Sequence, residues 1–403
     1  GPEQGGSLGP YRQSERSGIY EQHYEQLRRQ GSVYPCFCSP QELQLAREAQ
    51  RAAGQPPRYP GTCARLSEKQ VQERLQSGIR PTLRFRVPAG REVAFEDLVR
   101  GDQVFQTDAI GDFIVRRANG SPAFFFCNAI DDATMEVTHV LRGEDHLTNT
   151  PRQLLLLESL GLTAPRYGHI SLIVGSDGAP LSKRQGSRSA RELHDLGLYP
   201  GALTNYLARL GHTYDDNNYL ELQELAEQFE LGRLGRAPAR FDEIQMQHWQ
   251  REALAKESPG GLWQWMSEEA GELVPVEDRD AFVRLIRNNI LNPGDARFWA
   301  EVMYGDQIVM DAAARDVVAR TGEDFFRSAL AGWDQGNHKY RLLVEYLKVN
   351  AGCKGKALFQ PLRAALTGTP HGPELEQILN KLPPDRVRTR LMKCIDLAKS
   401  VAG

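Results

Sequence analysis

The stretch from Val137 to Val174 constrains this chain more than any other. Val137 to Leu141 is a short apolar run that reads as a strand. Thr150 can cap a helix, and Pro151 suits its first position, where a missing N–H is no loss. Leu154-Leu155-Leu156-Leu157 then reads as buried, and Gly161 ends the helix. Ile170 to Val174 is a second apolar strand, leading into the turn Gly175-Ser176-Asp177-Gly178. Strand, helix and strand at this spacing predict a parallel α/β unit.

On either side the pattern changes. Tyr11 to Arg29 reads as a helix on Ile19, Tyr20, Tyr24 and Leu27, with Gly31 as its stop. Leu83 to Val87 alternates like a strand. Phe113-Ile114-Val115 and Phe124-Phe125-Phe126 read as two more strands, separated by a turn at Asn119-Gly120-Ser121. From Ser189 onward amphipathic helices dominate, one with a stripe on Leu203, Tyr206, Leu207 and Leu210.

At roughly 100–200 residues per domain, 403 residues predict two to four domains. Hydrophobic residues are 40% of the chain, enough for sizeable cores. No apolar run reaches the roughly 18 residues of a membrane span. The net charge of −3 hides a polarity: Lys339 to the end carries +7 and the rest −10. That basic end could meet a polyanion or could simply be a solvated helical face. The chain opens at Gly1-Pro2-Glu3-Gln4-Gly5-Gly6, with no initiator Met and no secretory leader. This loop-like start predicts that a preceding segment is missing. Six cysteines without a leader predict a reducing, cytoplasmic compartment.

Three places could carry chemistry. Cys36-Phe37-Cys38 and Cys63 are spaced as thiolate ligands for zinc, with the Tyr59 oxygen a candidate fourth; the alternative is a set of buried thiols. Leu141-Arg142-Gly143-Glu144-Asp145-His146 sits where a strand ends and a helix approaches, the usual ligand position in open α/β sheets. Arg142 could hold a carboxylate with paired hydrogen bonds, and Asp131-Asp132 lies shortly upstream. The alternative there is a surface ion-pair cluster. Gly178 to Ser187 is a loop with adjacent cations between glycines, able to close over a triphosphate. It lacks the spacing of a P-loop.

These residues resemble a known family. Pro180-Leu181-Ser182-Lys183-Arg184-Gln185-Gly186 is similar to the "KMSKS" loop of class I aminoacyl-tRNA synthetases, in the "KLSKRHG" form of the bacterial-type glutamyl-tRNA synthetases. Asp131-Asp132, Thr138 to His146 and Asn149 to Gln153 resemble that family's "DD…THVIRGEDHLSNTPRQ". Gly9 to Arg16 resembles "GPYRQSER", and Tyr34 to Cys38 with Pro57 to Cys63 resembles its zinc-bearing acceptor-binding insertion. Gly355 to Arg363 resembles the "GKxLFxPLRxALTG" signature of its anticodon domain.

The resemblance implies an α/β fold: an incomplete Rossmann-like catalytic domain with an inserted α+β module, followed by an all-α anticodon-binding region. It implies a first catalytic remnant at 1–33, a zinc-bearing acceptor-binding module at 34–112 and the second catalytic half at 113–175. The mobile loop and stem-contact domain would span 176–250, and the anticodon domain 251–403. Arg142 would bind the glutamate carboxylate, and Asn128, Phe124 and His146 would line the amino-acid pocket. Lys183, flanked by Ser182 and Arg184, would contact ATP phosphates with Mg²⁺, and Glu144 and Asp145 would join the ATP site. Cys36, Cys38, Tyr59 and Cys63 would hold a structural zinc. The implied reaction activates L-glutamate with ATP and transfers it to the 3′ end of tRNA-Glu, with tRNA-Gln left open as a further acceptor, by positioning and charge stabilisation. A monomer with no membrane partner is expected.

The departures are specific. The family's opening "FAPSPTG" and "HIGH"-type stretch is not in these residues, so this chain alone is expected to be inactive. His169 in Tyr167-Gly168-His169-Ile170 is not that motif. Phe124 stands where the family has Tyr, Pro180 replaces the loop's first Lys, and Arg65 stands where a His ligand is common. The region Phe241 to Trp249 lacks the family's "KLxWxNxxY". The alternative is a catalytically dead, tRNA-binding relative. A glutamyl-Q enzyme would lack the residues beyond about 250, and a glutaminyl-tRNA synthetase would have a β-barrel where this chain reads helical.

Overall fold

The computed structural model describes residues 2–175, 177–179, 181 and 189–402. They form two compact units: Gly1–Pro180 with Leu210–Tyr214 and Phe229–Phe241, and Leu181–Arg209 with Asp215–Gln228 and Asp242–Gly403.

The first unit runs α1 (Ser17–Arg29), β1 (Val33–Cys36), α2 (Pro40–Ala52), α3 (Glu68–Gln76), β2 (Thr82–Phe85), β3 (Glu92–Asp97), β4 (Gly101–Gln106) and a single turn, α4 (Thr107–Ile110). It continues with β5 (Phe113–Arg116), α5 (Phe124–Thr134), β6 (His139–Gly143), α6 (Thr150–Leu160), β7 (Arg166–Ile170) and β8 (Ile173–Val174). The predicted crossover unit is present: β6 and β7 pair in parallel across α6, with Val140 opposite Tyr167 and Arg142 opposite His169. Gly161 closes α6 in the left-handed conformation, as expected of a helix stop. β1, β2 and β5 form an antiparallel sheet, and β3 and β4 form a hairpin. The backbone of Leu98, just after β3, donates to Tyr167 in β7, so the hairpin abuts the parallel pair.

The core of this unit is apolar and aromatic. Leu27, Phe85, Val115, Phe126, Ile130 and Leu156 are all almost fully enclosed. Tyr24 stacks on Phe126 at 4.2 Å between centroids, and its hydroxyl donates to the Val115 carbonyl at 3.0 Å. Each such side chain contributes about 1.5–3 kcal/mol through burial. A charged pair with an enclosed arginine borders this core. Arg16, 1% exposed, donates to Asp131 at 2.6 Å and to Thr134 and the Pro10 carbonyl. Tyr20 also donates to Asp131 at 2.7 Å. These bonds fix the start of α1 against α5.

Four local expectations change. Phe124-Phe125-Phe126 is not a strand but the first turn of α5; its aromatic rings meet α1 and β5 rather than a sheet neighbour. The Ile170–Val174 run is broken into β7 and β8, because Leu172 N–H and Ser171 Oγ are taken up by Glu144 and Arg100. The helix read from Tyr11 starts at Ser17, after a 3-10 turn at Gln13–Glu15. Thr150 lies inside α6, and its hydroxyl caps nothing because it serves Arg142 and His169.

The second unit is helical apart from loops: α7 (Ala190–Asp195), α8 (Pro200–Arg209), α9 (Leu222–Glu227), α10 (Glu243–Lys256), α11 (Pro259–Ala270) and α12 (Arg279–Ile286). Then come α13 (Pro293–Tyr304), α14 (Ala312–Thr321), α15 (Glu323–Gln335), α16 (Tyr340–Asn350), α17 (Lys356–Thr367), α18 (Leu375–Lys381) and α19 (Pro384–Ala402). On α8 the buried face is Ala202, Asn205 and Tyr206, while Leu207 points outward, so the stripe is narrower than read. One continuous core joins α10 to α19 through Leu254, Met266, Phe282, Trp299, Phe326 and Leu391. Gly368 ends α17 at φ +79°, where a Cβ would meet the Val309 carbonyl oxygen at 2.5 Å; only glycine fits. A short strand of the first unit, β9 (Ala239–Arg240), pairs in parallel with β8. Among the described residues no helix is long and apolar enough to cross a membrane.

Candidate active site and cysteine centre

Arg142 is the penultimate residue of β6, half-buried where the parallel pair ends. Three neighbours hold its guanidinium. Nε donates to His169 Nε2 at 3.2 Å, and Nη2 donates to Thr150 Oγ1 at 2.7 Å and Gln153 Oε1 at 2.8 Å. Its charge lies 5.2 Å from the Tyr167 ring centre. Nη1 makes no hydrogen bond among the described residues. Burial lowers the guanidinium pKa, against the pull of Asp132, Asp145 and Asp97.

The folding of α5 explains what surrounds it. Positions four apart share a helix face, so Phe124, Asn128 and Asp132 follow one another along one side. Asp132 sits in the field of Arg142. Burial raises its carboxyl to about 6, helped by Asp131 and opposed by Arg142. Phe124, 39% exposed, stacks on His146 with centroids 5.3 Å apart. His146 in turn meets Asn149 at 3.0 Å and Asp145 at 3.8 Å. Glu144 is already engaged: Arg100 donates to one oxygen and Leu172 N–H to the other, at 3.2 Å. Asp145 stays largely exposed. Ser182, Lys183 and Arg184 lie outside the described residues.

Sequence reasoning missed the support behind Arg142. Asp97, at the end of β3, and His169, in β7, are both fully enclosed. Asp97 Oδ2 lies 2.5 Å from His169 Nδ1. Its Oδ1 accepts the N–H groups of Val99, Arg100 and His169 at 3.0, 2.8 and 3.1 Å. Burial opposes its charge, but these bonds hold the carboxyl below the usual range. The visible signal was a lone histidine inside an apolar strand; its partner lies 72 residues earlier.

The cysteine centre is local. Cys36 ends β1, Cys38 follows it, and Cys63 lies in a 3-10 turn after Gly61. The three sulfurs are within 4.8 Å of one another, and Cys38 and Cys63 are 3.6 Å apart. Tyr59 Oη is 3.4 Å from Cys36 Sγ and 3.6 Å from Cys38 Sγ. Tetrahedral zinc with Zn–S near 2.3 Å would set its sulfurs about 3.8 Å apart, so the donor set fits such an ion. Burial disfavours the Cys36 thiolate, but hydrogen bonds from Tyr59 and Arg84 outweigh it and bring the thiol to about 7. Cys38 is pushed up to about 11 by burial, against the hydrogen bond from Tyr59. The Arg84 guanidinium lies 3.8 Å over the Tyr59 ring. Beside this centre a cavity of about 530 Å³ has Arg47, Arg58, Arg84, Arg117 and Arg152 in its lining, together with Asp112, Phe124 and Phe125.

With this geometry in view, the comparisons with known proteins agree. Residues 4–248 match the catalytic domain of class I tRNA synthetases (E and Q), and residues 326–395 match an anticodon-binding domain. Glutamate–tRNA ligase 2 of Nitrosococcus oceani is 54% identical over 396 residues, covering 98% of this chain and 84% of the relative. Glutamate–tRNA ligase 1 of Halorhodospira halophila is 50% identical over 398 residues, covering 99% and 83%. The crystal structure of a glutamate tRNA ligase from Elizabethkingia meningosepticum, in complex with its amino acid, superposes with a TM-score of 0.81 at 26% identity, over 98% of this chain and 85% of that one. With both halves matched in order and at this level of identity, the chain belongs to the glutamate–tRNA ligase family of class I aminoacyl-tRNA synthetases.

Proposed function

We propose that Arg142 receives the carboxylate of L-glutamate, in an ATP-dependent synthesis of glutamyl-tRNA-Glu. The observation that carries this reading is a guanidinium at the carboxyl end of a parallel strand, held at Nε and Nη2 with Nη1 left for a ligand. Asn128, Phe124 and His146 form the walls of the amino-acid pocket. Phe124 offers a ring face but no hydroxyl, so the pocket gains apolar contact and loses one donor. Asp145 and the loop residues Ser182, Lys183 and Arg184 serve the ATP phosphates with Mg²⁺, and Glu144 acts there by holding Arg100. The reaction needs no covalent intermediate on the protein. A carboxylate oxygen of glutamate attacks the α-phosphate and pyrophosphate leaves toward the loop cations; the terminal ribose hydroxyl of tRNA then attacks the glutamyl carbonyl, and AMP leaves as the ester forms.

Cys36, Cys38, Cys63 and Tyr59 hold a structural zinc, whose chemistry is to tie two loops into one module. The arginine-lined cavity next to it suits phosphates of the tRNA acceptor end, and the basic helices from Lys339 onward suit the anticodon arm. The 34–112, 113–175, 176–250 and 251–403 divisions follow these roles, after the 1–33 segment. A cytoplasmic monomer fits the reading.

The test is glutamate- and tRNA-dependent ATP–pyrophosphate exchange, run on the protein expressed from its full coding region. Exchange should vanish in Lys183→Ala and should need far more glutamate in Arg142→Ala. Unchanged exchange in both variants would overturn these roles. The dead-relative alternative predicts tight tRNA binding with no exchange at all.

A further inference from the structure

We propose that Asp97 and His169 are positioning residues that set the orientation of the Arg142 guanidinium through a single imidazole tautomer. The inference rests on the reading of Arg142 as the carboxylate receiver and adds how that receiver is aimed.

The hydrogen-bond directions decide the tautomer. Arg142 Nε can only donate, so the His169 Nε2 it reaches at 3.2 Å must carry a lone pair. The imidazole proton is then on Nδ1, where Asp97 Oδ2 accepts it at 2.5 Å. A second proton on His169 would set an enclosed cation directly against the Arg142 guanidinium. Burial pulls the histidine down, in keeping with a neutral ring, while Asp97 opposes this. Thr150 Oγ1 lies 3.1 Å from the same Nε2 and accepts from Arg142 Nη2, so it closes a small ring of bonds around one edge of the guanidinium. Gln153 holds Nη2 from the other side. A planar guanidinium fixed at Nε and Nη2 has no rotation left, and Nη1 points one way.

The two oxygens of Asp97 have different work. Oδ1 takes three backbone N–H groups, and Oδ2 alone faces the imidazole. Asp97→Asn therefore has one comfortable arrangement: its oxygen keeps the three backbone bonds and its NH₂ group meets His169 Nδ1. A donor there drives the imidazole proton to Nε2, where it points at the Arg142 Nε–H. The backbone turn survives and the aim of the guanidinium is lost. A mispointed receiver costs binding even when nothing else moves.

Three variants of the full-coding-region protein test this: Asp97→Asn, His169→Gln and His169→Phe. Glutamate titration is paired with nitrogen-15 spectra of the histidine rings, and tRNA affinity serves as the control for folding. Wild type should show His169 protonated at Nδ1. Asp97→Asn should move that proton to Nε2 and weaken glutamate binding by about tenfold to a hundredfold, with tRNA affinity unchanged. His169→Phe should weaken glutamate similarly. His169→Gln, whose amide oxygen reaches the Nε2 position, should recover most of the loss. A wild-type proton on Nε2, or glutamate affinity within twofold of wild type in both Asp97→Asn and His169→Phe, overturns the proposal. Arg142→Ala separates the two claims. If it leaves glutamate affinity intact, the carboxylate reading is wrong, and the tautomer spectra still decide whether the lock exists.

Discussion

The cysteine centre and the Arg142 cradle sit in the same compact unit and are built on opposite plans. Cys36 and Cys38 come from the end of β1, and Tyr59 and Cys63 from one later turn, with 26 residues between the first cysteine and the last. Their three sulfurs and the Tyr59 oxygen face one another, so a bound ion would tie them directly. The cradle gathers Asp97, Arg142, Thr150, Gln153 and His169 from β3, β6, α6 and β7. Protein partners hold Arg142 at Nε and Nη2, and Nη1 is left for a ligand. A centre of the first kind should fail all at once, whereas one of the second kind should fail by degrees, because each bond has neighbours that remain.

The largest effect should therefore come from Cys63→Ser. Metal analysis should fall from about one zinc per chain to none, and the melting temperature should drop well below that of wild type. Structural zinc binding is worth on the order of 10 kcal/mol at neutral pH, which nothing local could replace. A variant that kept its metal, or kept its melting temperature without it, would break the contrast. Thr150→Val should be far milder, costing about 1.5 kcal/mol in denaturant titration, since Arg142 Nη2 keeps Gln153. A collapse of this variant would show that the cradle also fails all at once.

Asp132→Asn tests the electrostatics of the cradle. Its folded pKa, about 6, lies above the unfolded value of 3.8. The stability it contributes is thus full below about pH 4 and is lost as pH rises through 6. The Asn variant should match wild type in acid and become more stable by about 1 kcal/mol at pH 7, after allowing for screening by water. Equal stability at both pH values would mean that Arg142 fully offsets the burial. The smallest effect belongs to the cysteine module's own scaffold. Ser39 and Glu42 form a reciprocal cap on α2, and Ser39→Ala should lower the melting point by the equivalent of about 0.5–1 kcal/mol without releasing metal.

The same contrast explains what could be read from the sequence. Cysteine spacing is visible because the ligands are close along the chain. The β6–α6–β7 crossover was legible from spacing, Pro151 and Gly161, but its second strand is Arg166–Ile170, upstream of the Ile170–Val174 run. Phe124 to Phe126 misled because three aromatics suit a strand as well as a helix; Tyr20, Tyr24 and Phe113 decide the matter, and they are distant in sequence. Thr150 looked like a cap because capping is the local use of threonine before proline, while its actual partner is an arginine on another element. Asp97 carried no signal at all. An acidic residue in a hairpin is ordinary, and only the register that sets β3 beside β7 gives it a histidine to hold.

Asp131 and Asp132 are successive residues of α5, so their side chains leave the axis about 100° apart. Asp131 is bolted to Arg16 and Tyr20, while Asp132 lies in the field of Arg142. Together they act as a key in a slot. Turning α5 about its axis would break the Arg16 and Tyr20 bonds to Asp131 and carry Asp132 away from Arg142. What α5 presents beside Arg142 would therefore change by exchange of its side chains sooner than by rotation of the helix.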